Sequence, residues 1–295
     1  MKVTISELYT FMSIVDTGTI SQASEHLNIT VSAASRALSR LEKKLNTALF
    51  RRNTRRLELT LEGEKYLSRV RDILYDLEAA EEMLVQRKGI PSGKLRIDAA
   101  SPFMLHVIAP LIGKYSHAYP QVEIELVNND NLIDLLEQRT DVAVRIGELK
   151  DSSLNATPLG LSPIRIMASP DYLKQYGTPQ SIDDLARHQL LGFSALEKLN
   201  DWPVYDASNQ LLHIQANITS DSGETLRQLA LSGVGIVCLS DFMTRKDLQA
   251  GRLVQLFTAI TVKVEQPINI VYYRNRELSN RVNSFIAFLK QEVKI

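Results

Sequence analysis

Cysteine is almost absent from this sequence, since Cys238 is the only one among 295 residues. One thiol can form neither an internal disulfide nor a four-cysteine metal site. Cys238 lies in the apolar run VGIVCLS, so we predict that it is buried and structural. An export signal is also absent, because Glu7 and Asp16 interrupt the apolar residues at the start of the chain. We therefore expect a cytoplasmic protein.

Sequence signatures of catalysis are missing as well. The motifs GxSxG, P-loop and HExxH do not occur. Gly233 and Gly235 stand between a predicted helix and a predicted strand, which is the reverse of the order in a dinucleotide-binding turn. The histidines are scattered without metal-ligand spacing, at His26, His106, His117, His188 and His213. We therefore expect no enzyme, no cofactor and no metal.

Neither sign of charge dominates the whole chain, but one segment carries an excess. The chain has 34 Lys and Arg against 34 Asp and Glu, whereas residues 28–60 hold eight cations and two carboxylates, a net charge of +6. Such a local excess is typical of a phosphate-binding module, although a solvated basic face is the alternative. The length and the content of 44% apolar and 23% charged residues indicate a soluble globular protein of two or three folding units.

The first 45 residues predict three helices. The first ends at Gly18, and the second begins at a cap supplied by Thr19 or Ser21 and ends at Asn28, which tolerates a left-handed turn. Thr30 caps the third helix. Apolar residues recur at helical spacing, as Leu8, Phe11, Met12 and Val15, then Ala23 and Leu27, then Val31, Ala34, Leu38, Leu41 and Leu45. We predict that these stripes face one core.

The third helix has a second face of a different kind. Short hydroxyls and two long cations occupy it, as Ser32, Ser35, Arg36, Ser39 and Arg40. An α-helix fits the major groove of B-DNA, where Arg can donate to guanine and Ser can contact bases or phosphates. This face predicts a DNA-contacting helix.

A basic turn and a short strand follow. Leu57, Leu59 and Leu61 alternate with Glu58 and Thr60, the period of two that is typical of a strand. Four arginines precede this strand around Asn53 and Thr54, as Arg51, Arg52, Arg55 and Arg56. Cations in such a turn suit a wing that lies along the DNA backbone or enters the minor groove.

The predicted order is helix, helix, wing. Over residues 18–63 the sequence resembles the DNA-binding domain of the LysR-type transcriptional regulators, and the resemblance extends through the whole run GTISQASEHLNITVSAASRALSRLEKKLNTALFRRNTRRLELTLEG. Ala34, where the family often has Val, and Asn46, where it commonly has Gly, are mild departures. The resemblance implies a mainly α-helical winged helix-turn-helix. It also implies DNA contacts from Thr30, Ser32, Ala33, Ser35, Arg36 and Arg40, and wing contacts from Arg51, Arg52 and Arg55; we add Ser39 and Thr54 from the same face and turn.

A long helix is predicted from Leu61 to Lys88. Apolar residues repeat in it at intervals of three and four, as Tyr66, Val70, Ile73, Leu77, Ala80 and Leu84. A helix of roughly 40 Å cannot bury this seam against sixty residues alone, so we predict pairing with a second copy, with packing against the C-terminal half as the alternative. LysR-type regulators are similar here, and the resemblance implies a homodimer or homotetramer. Residues 89–93, with two glycines and a proline, predict a hinge.

The remaining residues predict strands that alternate with helices, and hence parallel β-α-β units in an open α/β sheet. The predicted strands are KLRIDAA, VEIELV, DVAVRIG, IRIMAS, LLGF, HIQANIT, GIVCLS, LVQLF and INIVYY, with helices after the first, from about Asn131 and near 279–293. In such sheets ligands bind at the carboxyl ends of strands, beside helix N-termini.

This half also resembles the LysR-type effector domain, in the runs SPF, DVAVRIG, LALSGVGIV and LQAGRLVQLF. The resemblance implies a periplasmic-binding-protein-like effector domain of two subdomains, about 94–162 with 267–295 and about 163–266. The chain would cross between them near Ser162-Pro163 and Gln266-Pro267, and the effector would lie between them. The implied partners are double-stranded DNA with an interrupted palindromic operator, a small-molecule effector and RNA polymerase, with no membrane.

The strand ends and helix starts supply the candidate effector-binding residues. They are Ser101, Pro102, Phe103, Asn129, Arg145, Ile146, Gly147, Phe193, Asp221, Ser222 and Gly223. A core position is the alternative for Phe193. The effector is a small carboxylate or a ring compound, and the single cation hints at the carboxylate.

Other candidates have structural alternatives too. Ser101 and Ser222 can cap helices, which would occupy their hydroxyls. Arg145 can form an ion pair with Asp141 or Glu148.

The sequence as a whole predicts an α/β protein with a winged helix-turn-helix at 1–60, a linker helix at 61–88, a hinge at 89–93 and an effector domain at 94–295. The function that follows is a DNA-binding transcription regulator controlled by a small molecule. The alternative is a small-molecule-binding or catalytic α/β protein whose first sixty residues serve dimerisation only, and the basic wing is evidence against it.

Overall fold

A computed structural model describes residues 2–52, 57–85, 90–129, 140–149, 154–195, 197–273 and 278–295. Among these, the chain forms two compact units that divide between Ile90 and Pro91. Each unit has its own apolar cores. None of the described helices combines the length and the apolar composition that crossing a bilayer requires.

The first unit is mainly helical, as predicted. Hydroxyl caps begin its first three helices, because Thr4, Thr19 and Thr30 each accept a hydrogen bond from a backbone N–H of the first turn. Gly18 and Asn28 adopt the left-handed backbone that ends a helix, with φ of 77° and 53°. The elements are α1 (Ile5–Thr17), α2 (Ile20–His26), α3 (Val31–Leu45), β1 (Phe50–Arg52), β2 (Leu57–Leu59) and α4 (Leu61–Val85).

The apolar stripe of α3 is confirmed except at its first residue. Ala34, Leu38 and Leu41 are buried, and Ala37 joins them. Val31, by contrast, is 50% exposed, so the prediction that it faces the core is wrong. Val31 lies on the first turn of α3, at the edge of the apolar stripe. Because the helix has 3.6 residues per turn, a stripe of apolar residues shifts gradually around it, and its first member no longer faces the core.

The wing is a hairpin with two strands, of which the sequence predicted only the second. Phe50 in β1 pairs with Leu59 in β2 in antiparallel register. Leu61 does not continue β2 as predicted, because the Thr60 hydroxyl accepts a hydrogen bond from the N–H of Gly63 at 2.9 Å and starts α4. A Cβ at Gly63 would lie 2.2 Å from the Leu49 carbonyl oxygen, so only glycine allows this close approach.

The start of α4 belongs to the core of its own unit. Leu67, Val70 and Leu74 are buried there, and the Tyr66 ring lies 5.7 Å from that of Phe11. The prediction that Val70 lies in a seam between copies is therefore wrong. The ring of Tyr66, also predicted in the seam, contacts the core of its own unit. Along the same predicted seam Ile73 is 53% exposed, Leu77 is half-buried and Ala80 is exposed, while the side chain of Leu84 lies outside the described residues.

The second unit alternates strands and helices. Its first part comprises β3 (Gly93–Ala99), α5 (Ser101–Phe103), a π-helical turn (Met104–Ile108), α6 (Ala109–Ala118), β4 (Val122–Asn128), β5 (Val142–Ile146) and β6 (Leu154–Ala168). Its second part comprises α7 (Pro170–Tyr176), β7 (Leu190–Phe193), β8 (Asp201–Tyr205), β9 (Leu211–His213), β10 (Ile218–Ser220), α8 (Gly223–Leu231), β11 (Ile236–Ser240), α9 (Asp241–Gln249), β12 (Val254–Gln255), β13 (Glu265–Tyr273) and α10 (Asn280–Glu292). Gly93, predicted in the hinge, begins β3, and the helix predicted from Asn131 lies outside the described residues.

The sheet runs in the order β10-β7-β11-β6-β13-β5-β3-β4, with β12 beside β6. The pairs of β3 with β4 and β5, and of β7 with β10 and β11, are parallel, which confirms the predicted β-α-β units. Parallel β-α-β units do not account for the whole sheet, because β6 and β13 are antiparallel to each other, β13 is antiparallel to β5, and β6 is antiparallel to β11. These two strands carry the chain out of one half of the sheet and back again.

One predicted strand is divided in the structure, and another strand was not predicted. The run HIQANIT is divided between β9 and β10, because Ile214 between them turns into the core. The strand β8 was not predicted, since Pro203 within it is unusual for a strand, yet Trp202 and Val204 are buried on either side.

Two substitutions on α4, three residues apart, should separate the core from the exposed seam. We expect Val70→Asp to lower the free energy of unfolding of the first unit by roughly 3 kcal/mol or more, because it places a carboxylate in the core. Ile73→Asp should lower that free energy by much less, because the side chain is exposed within the unit and only the stability that pairing adds is lost. Urea unfolding of the full-length protein measures both.

Light scattering on the same two variants tests pairing through the exposed seam. A folded Ile73→Asp protein of lower mass than the parent is the expected result. Equal losses of stability in the two variants would contradict the assignment of Val70 to the core.

Candidate DNA-binding surface and effector cleft

The exposed face of α3 carries the predicted DNA-contacting side chains. Ser32, Arg36, Ser39 and Arg40 are exposed on it. Ala33 and Ser35 are half-buried at its margins, and Thr30 at the N-terminus accepts from the N–H of Ala33 while its hydroxyl lies 3.1 Å from that of Ser32. We call this surface, from Thr30 to Arg40, the recognition face; the contacts of its residues with DNA remain a prediction.

A buried carboxylate on α1 holds α3 in place, and the sequence analysis did not identify it. Glu7 is 3% exposed, and both of its oxygens accept from the Lys44 ammonium, at 2.8 and 2.9 Å. Its Oε1 also lies 3.4 Å from Nε of Arg40, whose side chain stays 58% exposed. Burial by itself would raise the pKa of Glu7, but hydrogen bonds from Lys44 and Thr4 outweigh it and lower the pKa from 4.5 to about 2.

A second carboxylate joins α3 to the wing. Oε1 of Glu42 accepts hydrogen bonds from the backbone N–H groups of Leu49 and Phe50, at 2.8 and 3.2 Å. The carboxylates of Glu7 and Glu42 thus accept hydrogen bonds inside the unit, whereas the side chains of Arg36 and Lys43 remain exposed. This arrangement leaves positive charge at the surface of α3, as a phosphate-binding helix requires.

The structure places part of the wing. Arg51 is exposed on β1, opposite Glu58 of β2. Arg52 ends β1, and nothing is described of its side chain. Thr54 and Arg55 lie outside the described residues.

In the second unit, candidate residues from distant parts of the chain meet. Pro102 follows β3 in the first predicted subdomain, and Gly223 starts α8 in the second. A Cβ at Gly223 would lie 3.3 Å from Cγ of Pro102 and 3.6 Å from Cζ of Phe193. The motif after β3 therefore faces the start of α8 and the end of β7, as the predicted cleft requires.

Two further contacts join these regions, and both involve residues that were not predicted to line the effector site. The ring of Phe103 packs edge-on against Phe242 of α9, with centroids 5.3 Å apart. Nε2 of His106 lies 2.7 Å from a carboxylate oxygen of Glu224 on α8. His106 belongs to the π-helical turn, and Pro110 four residues later has no N–H to donate to its carbonyl, a local signal that the helix is irregular there.

Glu224 is the centre of a polar cluster. It accepts hydrogen bonds from Arg227 and Gln228 as well as facing His106, and Arg227 in turn donates to the buried Asp247. Burial by itself would raise the pKa of Glu224, but the hydrogen bonds from Gln228 and His106 outweigh it and lower the pKa. Glu224 is therefore an anion at neutral pH, fixed at the edge of the cleft.

The two candidate serines differ in their relation to the helices. Ala100 is the N-cap of α5, so Ser101 is the first helical residue rather than the cap. Ser222 is the N-cap of α8, but its side chain makes no capping hydrogen bond. Asp221 beside it is exposed.

Arg145 has a partner that was not predicted. It is 8% exposed and its Nη1 donates to Asp98, which also accepts from the side-chain amide of Asn129. Neither Asp141 nor Glu148 is this partner. Nη2 of Arg145 is buried and lacks a hydrogen-bond partner among the described residues.

Ile146 and Gly147 lie directly after this cluster, at the end of β5. Both are half-buried, and Gly147 has a left-handed backbone with φ of 95°. Its N–H donates to the Pro267 carbonyl at 2.8 Å, which ties the strand end to β13.

The two predicted crossings between subdomains are neighbours. Ser162 in β6 pairs with Gln266 in β13. The buried Ser162 hydroxyl accepts from the N–H of Phe242 at 3.3 Å, and Ser240 donates to the Gln266 side chain. The start of α9 is therefore bound to both crossing strands.

Two family models match this chain. Residues 5–64 match the model described as the bacterial regulatory helix-turn-helix protein of the lysR family. Residues 88–294 match the model described as the LysR substrate binding domain. The two matches correspond to the two units of the structure.

Individual relatives agree with the family models. The chain is 43% identical to the HTH-type transcriptional regulator CrgA of Neisseria meningitidis over 99% of this chain and 98% of that protein. It is 30% identical to the uncharacterized HTH-type transcriptional regulator YhjC of Escherichia coli, over 98% of each.

Solved structures show the same likeness. The structure of CrgA, a LysR-type regulator from Neisseria meningitidis, has a TM-score of 0.67 and covers 99% of both chains at 43% identity. The full-length structure of AphB, a virulence activator of Vibrio cholerae, has a TM-score of 0.63 and covers 98% of both chains at 27% identity.

The buried Glu7 predicts a specific dependence of stability on pH. Because its pKa in the folded protein, about 2, lies below the ordinary 4.5, its stabilising effect is complete above pH 4.5 and is lost as the pH falls towards 2. We expect Glu7→Gln to lower the free energy of unfolding of the first unit at pH 7. The same substitution should reduce the decline of that free energy between pH 4.5 and pH 2. Urea unfolding at a series of pH values measures it, with the exposed Glu25→Gln as the control. An unchanged slope in Glu7→Gln would refute the role of this carboxylate.

Proposed function

This chain belongs to the LysR-type transcriptional regulators, DNA-binding proteins with an effector-binding domain, and from that premise we propose which of its residues bind DNA and effector. The recognition face of α3 enters the major groove, and the β1–β2 hairpin contacts the adjacent backbone of an interrupted palindromic operator. The observation that supports this most directly is the exposure of Ser32, Arg36, Ser39 and Arg40 on one side of α3. The alternative of a dimerisation module on a solute-binding or catalytic protein is set aside, because the relatives are transcriptional regulators.

We further propose the division of the chain. The DNA-binding domain comprises residues 1–60, the linker helix 61–88, the hinge 89–93 and the effector domain 94–295. Within the effector domain one subdomain comprises 94–162 with 267–295, and the other 163–266.

LysR-type regulators form oligomers, and for this chain we propose pairing through the exposed part of α4 around Ile73. The resulting dimer or tetramer is cytoplasmic and acts on RNA polymerase.

The proposed effector site lies between the subdomains, where Ser101-Pro102-Phe103 faces Phe193 and the residues Asp221 to Gly223. The approach of Pro102 to Gly223 and the ring contact of Phe103 with Phe242 support it, because they join residues of the two proposed subdomains. An effector that inserts there would change their separation and so bias the protein between two arrangements.

The chemistry at Arg145 narrows the type of effector. Asp98 balances the charge of Arg145, so this cation no longer favours a carboxylate over a neutral compound. Its Nη2 still has a hydrogen to donate. We propose that a carbonyl or hydroxyl oxygen of the effector accepts it.

The DNA-binding proposal predicts the behaviour of Arg36→Ala. An operator obtained by selection from randomised duplexes should bind this variant roughly ten-fold more weakly, because one Arg contact to a base edge is lost, and base preference should relax. Fluorescence anisotropy at a series of salt concentrations measures affinity and the salt slope.

The matched control for Arg36→Ala is Arg187→Ala, an exposed arginine in the second unit. It should leave affinity and salt slope unchanged. Arg36→Ala with the affinity of the parent would rule out the proposed recognition face.

The effector proposal predicts that Gly223→Leu blocks ligand binding without loss of DNA binding. A Cβ alone would already lie 3.3 Å from Cγ of Pro102 and 3.6 Å from Cζ of Phe193, so the larger leucine must push these side chains apart at the proposed site. A metabolite that stabilises the parent by about 2.7 kcal/mol at a hundred times its Kd should not stabilise this variant. Thermal-shift measurements with a metabolite panel test it, with Gly113→Leu, at an exposed helical glycine with open space around it, as the control. Equal stabilisation of the parent and of Gly223→Leu would place the effector elsewhere.

A further inference from the structure

A cavity of about 260 Å³ lies beside β6, and none of the described residues proposed for the effector site lines it. Arg165 of β6, Gln255 of β12 and, from the segment after β12, Thr258, Thr261 and Lys263 supply its polar lining. This volume corresponds to roughly nine water molecules in the liquid. The cavity therefore suits a small metabolite.

Arg165 is held in a fixed orientation at this cavity. Its Nε donates to the Asp241 carboxylate at 2.8 Å, and its Nη1 donates to the Gln255 side chain at 2.9 Å. Within the part of the chain that the structure describes, no acceptor takes a hydrogen from its Nη2. A guanidinium that two partners orient, with donors to spare, is well prepared to bind carboxylate or phosphate oxygens.

The positive charge around the cavity is only partly balanced. Asp241 is shared, because its second oxygen accepts from Nε of Arg245 at 2.7 Å, so that one carboxylate faces two guanidiniums. The exposed ammonium of Lys263 lies 3.1 Å from a carboxylate oxygen of Glu265. Three cations thus stand against two carboxylates, which leaves an excess of one positive charge. This excess favours an anionic ligand.

The segment that closes the cavity has a strained backbone. Phe257 adopts a left-handed conformation with φ of 56°, which is rare for an aromatic residue. Its carbonyl accepts hydrogen bonds from the N–H groups of Ile260 and Thr261 and from the Thr261 hydroxyl, at 3.0, 2.9 and 2.8 Å. Strain of this kind concentrates at ligand-binding sites. Because the Thr261 hydroxyl already donates its hydrogen, its oxygen can only accept one from a ligand.

We propose that this cavity is a second small-molecule site, which binds a metabolite through a carboxylate or phosphate group. Arg165 and Lys263 bind the anionic oxygens, and Thr261 accepts a hydrogen bond from a hydroxyl of the same molecule. The site is additional to the proposed effector site, because the two share none of their described residues. With two distinct sites, the protein can respond to two metabolites.

Isothermal titration calorimetry of the full-length protein with inorganic phosphate, glycerol phosphate and glycerate tests the proposal. At least one of these probes should bind with a Kd of about 1 mM or tighter, and the comparison of glycerol phosphate with glycerate shows which anionic group is preferred. Lys263→Glu should weaken this binding roughly ten-fold or more, because it replaces an attractive charge by a repulsive one. Arg165→Gln should weaken it to a similar extent. Since Arg165 also holds Asp241, the exposed Lys263 is the safer position if Arg165→Gln fails to fold.

The matched control is Lys174→Glu, the same change of charge at an exposed lysine of α7 that does not line the cavity. It should bind the probes as the parent does, and so should Gly223→Leu, which alters the proposed effector site. A parent protein that binds none of the probes, or equal binding by the parent and Lys263→Glu, would overturn the proposal. Binding that is lost in Gly223→Leu and kept in Lys263→Glu would also overturn it, and would place the anion at the proposed effector site instead.

Discussion

The ion pair between Glu7 and Lys44 is the interaction on which the geometry of the DNA-binding unit depends. It joins the beginning of α1 to the last turn of α3, and its carboxylate is almost completely buried. A buried charge is stable only when it is paired and hydrogen-bonded, so α3 cannot shift along α1 without breaking contacts at Thr4, Arg40 and Lys44 together. The direction in which the recognition face points is therefore set from inside the unit.

The second unit is organised by a different constraint, the pair of long antiparallel strands β6 and β13. The chain leaves one half of the sheet along β6 and returns along β13, and Ser162 and Gln266 lie side by side on these two strands. Hydrogen bonds join these two residues to the start of α9, whose Phe242 contacts Phe103. The two long strands, α9 and the residues after β3 are consequently parts of one connected structure.

Acidic residues have parallel roles in the two units. Glu7 and Glu42 hold backbone and side chains inside the first unit, and Asp98 and Glu224 hold Arg145 and His106 in the second. In the first unit this leaves the cations of α3 exposed for a polyanion. In the second it balances the charge of Arg145, one of the predicted effector-binding residues.

The sequence by itself determined the helices of the first unit, most of the strands and the two-unit plan, because caps such as Thr30, stops such as Gly18 and the apolar period are local signals carried by neighbouring residues. It also predicted the exposed serines and arginines of α3. Only the tertiary structure decided which apolar residues are buried, so that Val31 is exposed and Val70 is enclosed, and which charges meet, as Asp98 meets Arg145. These outcomes depend on contacts between residues far apart in the chain, and spacing along a single helix or strand contains no information about them.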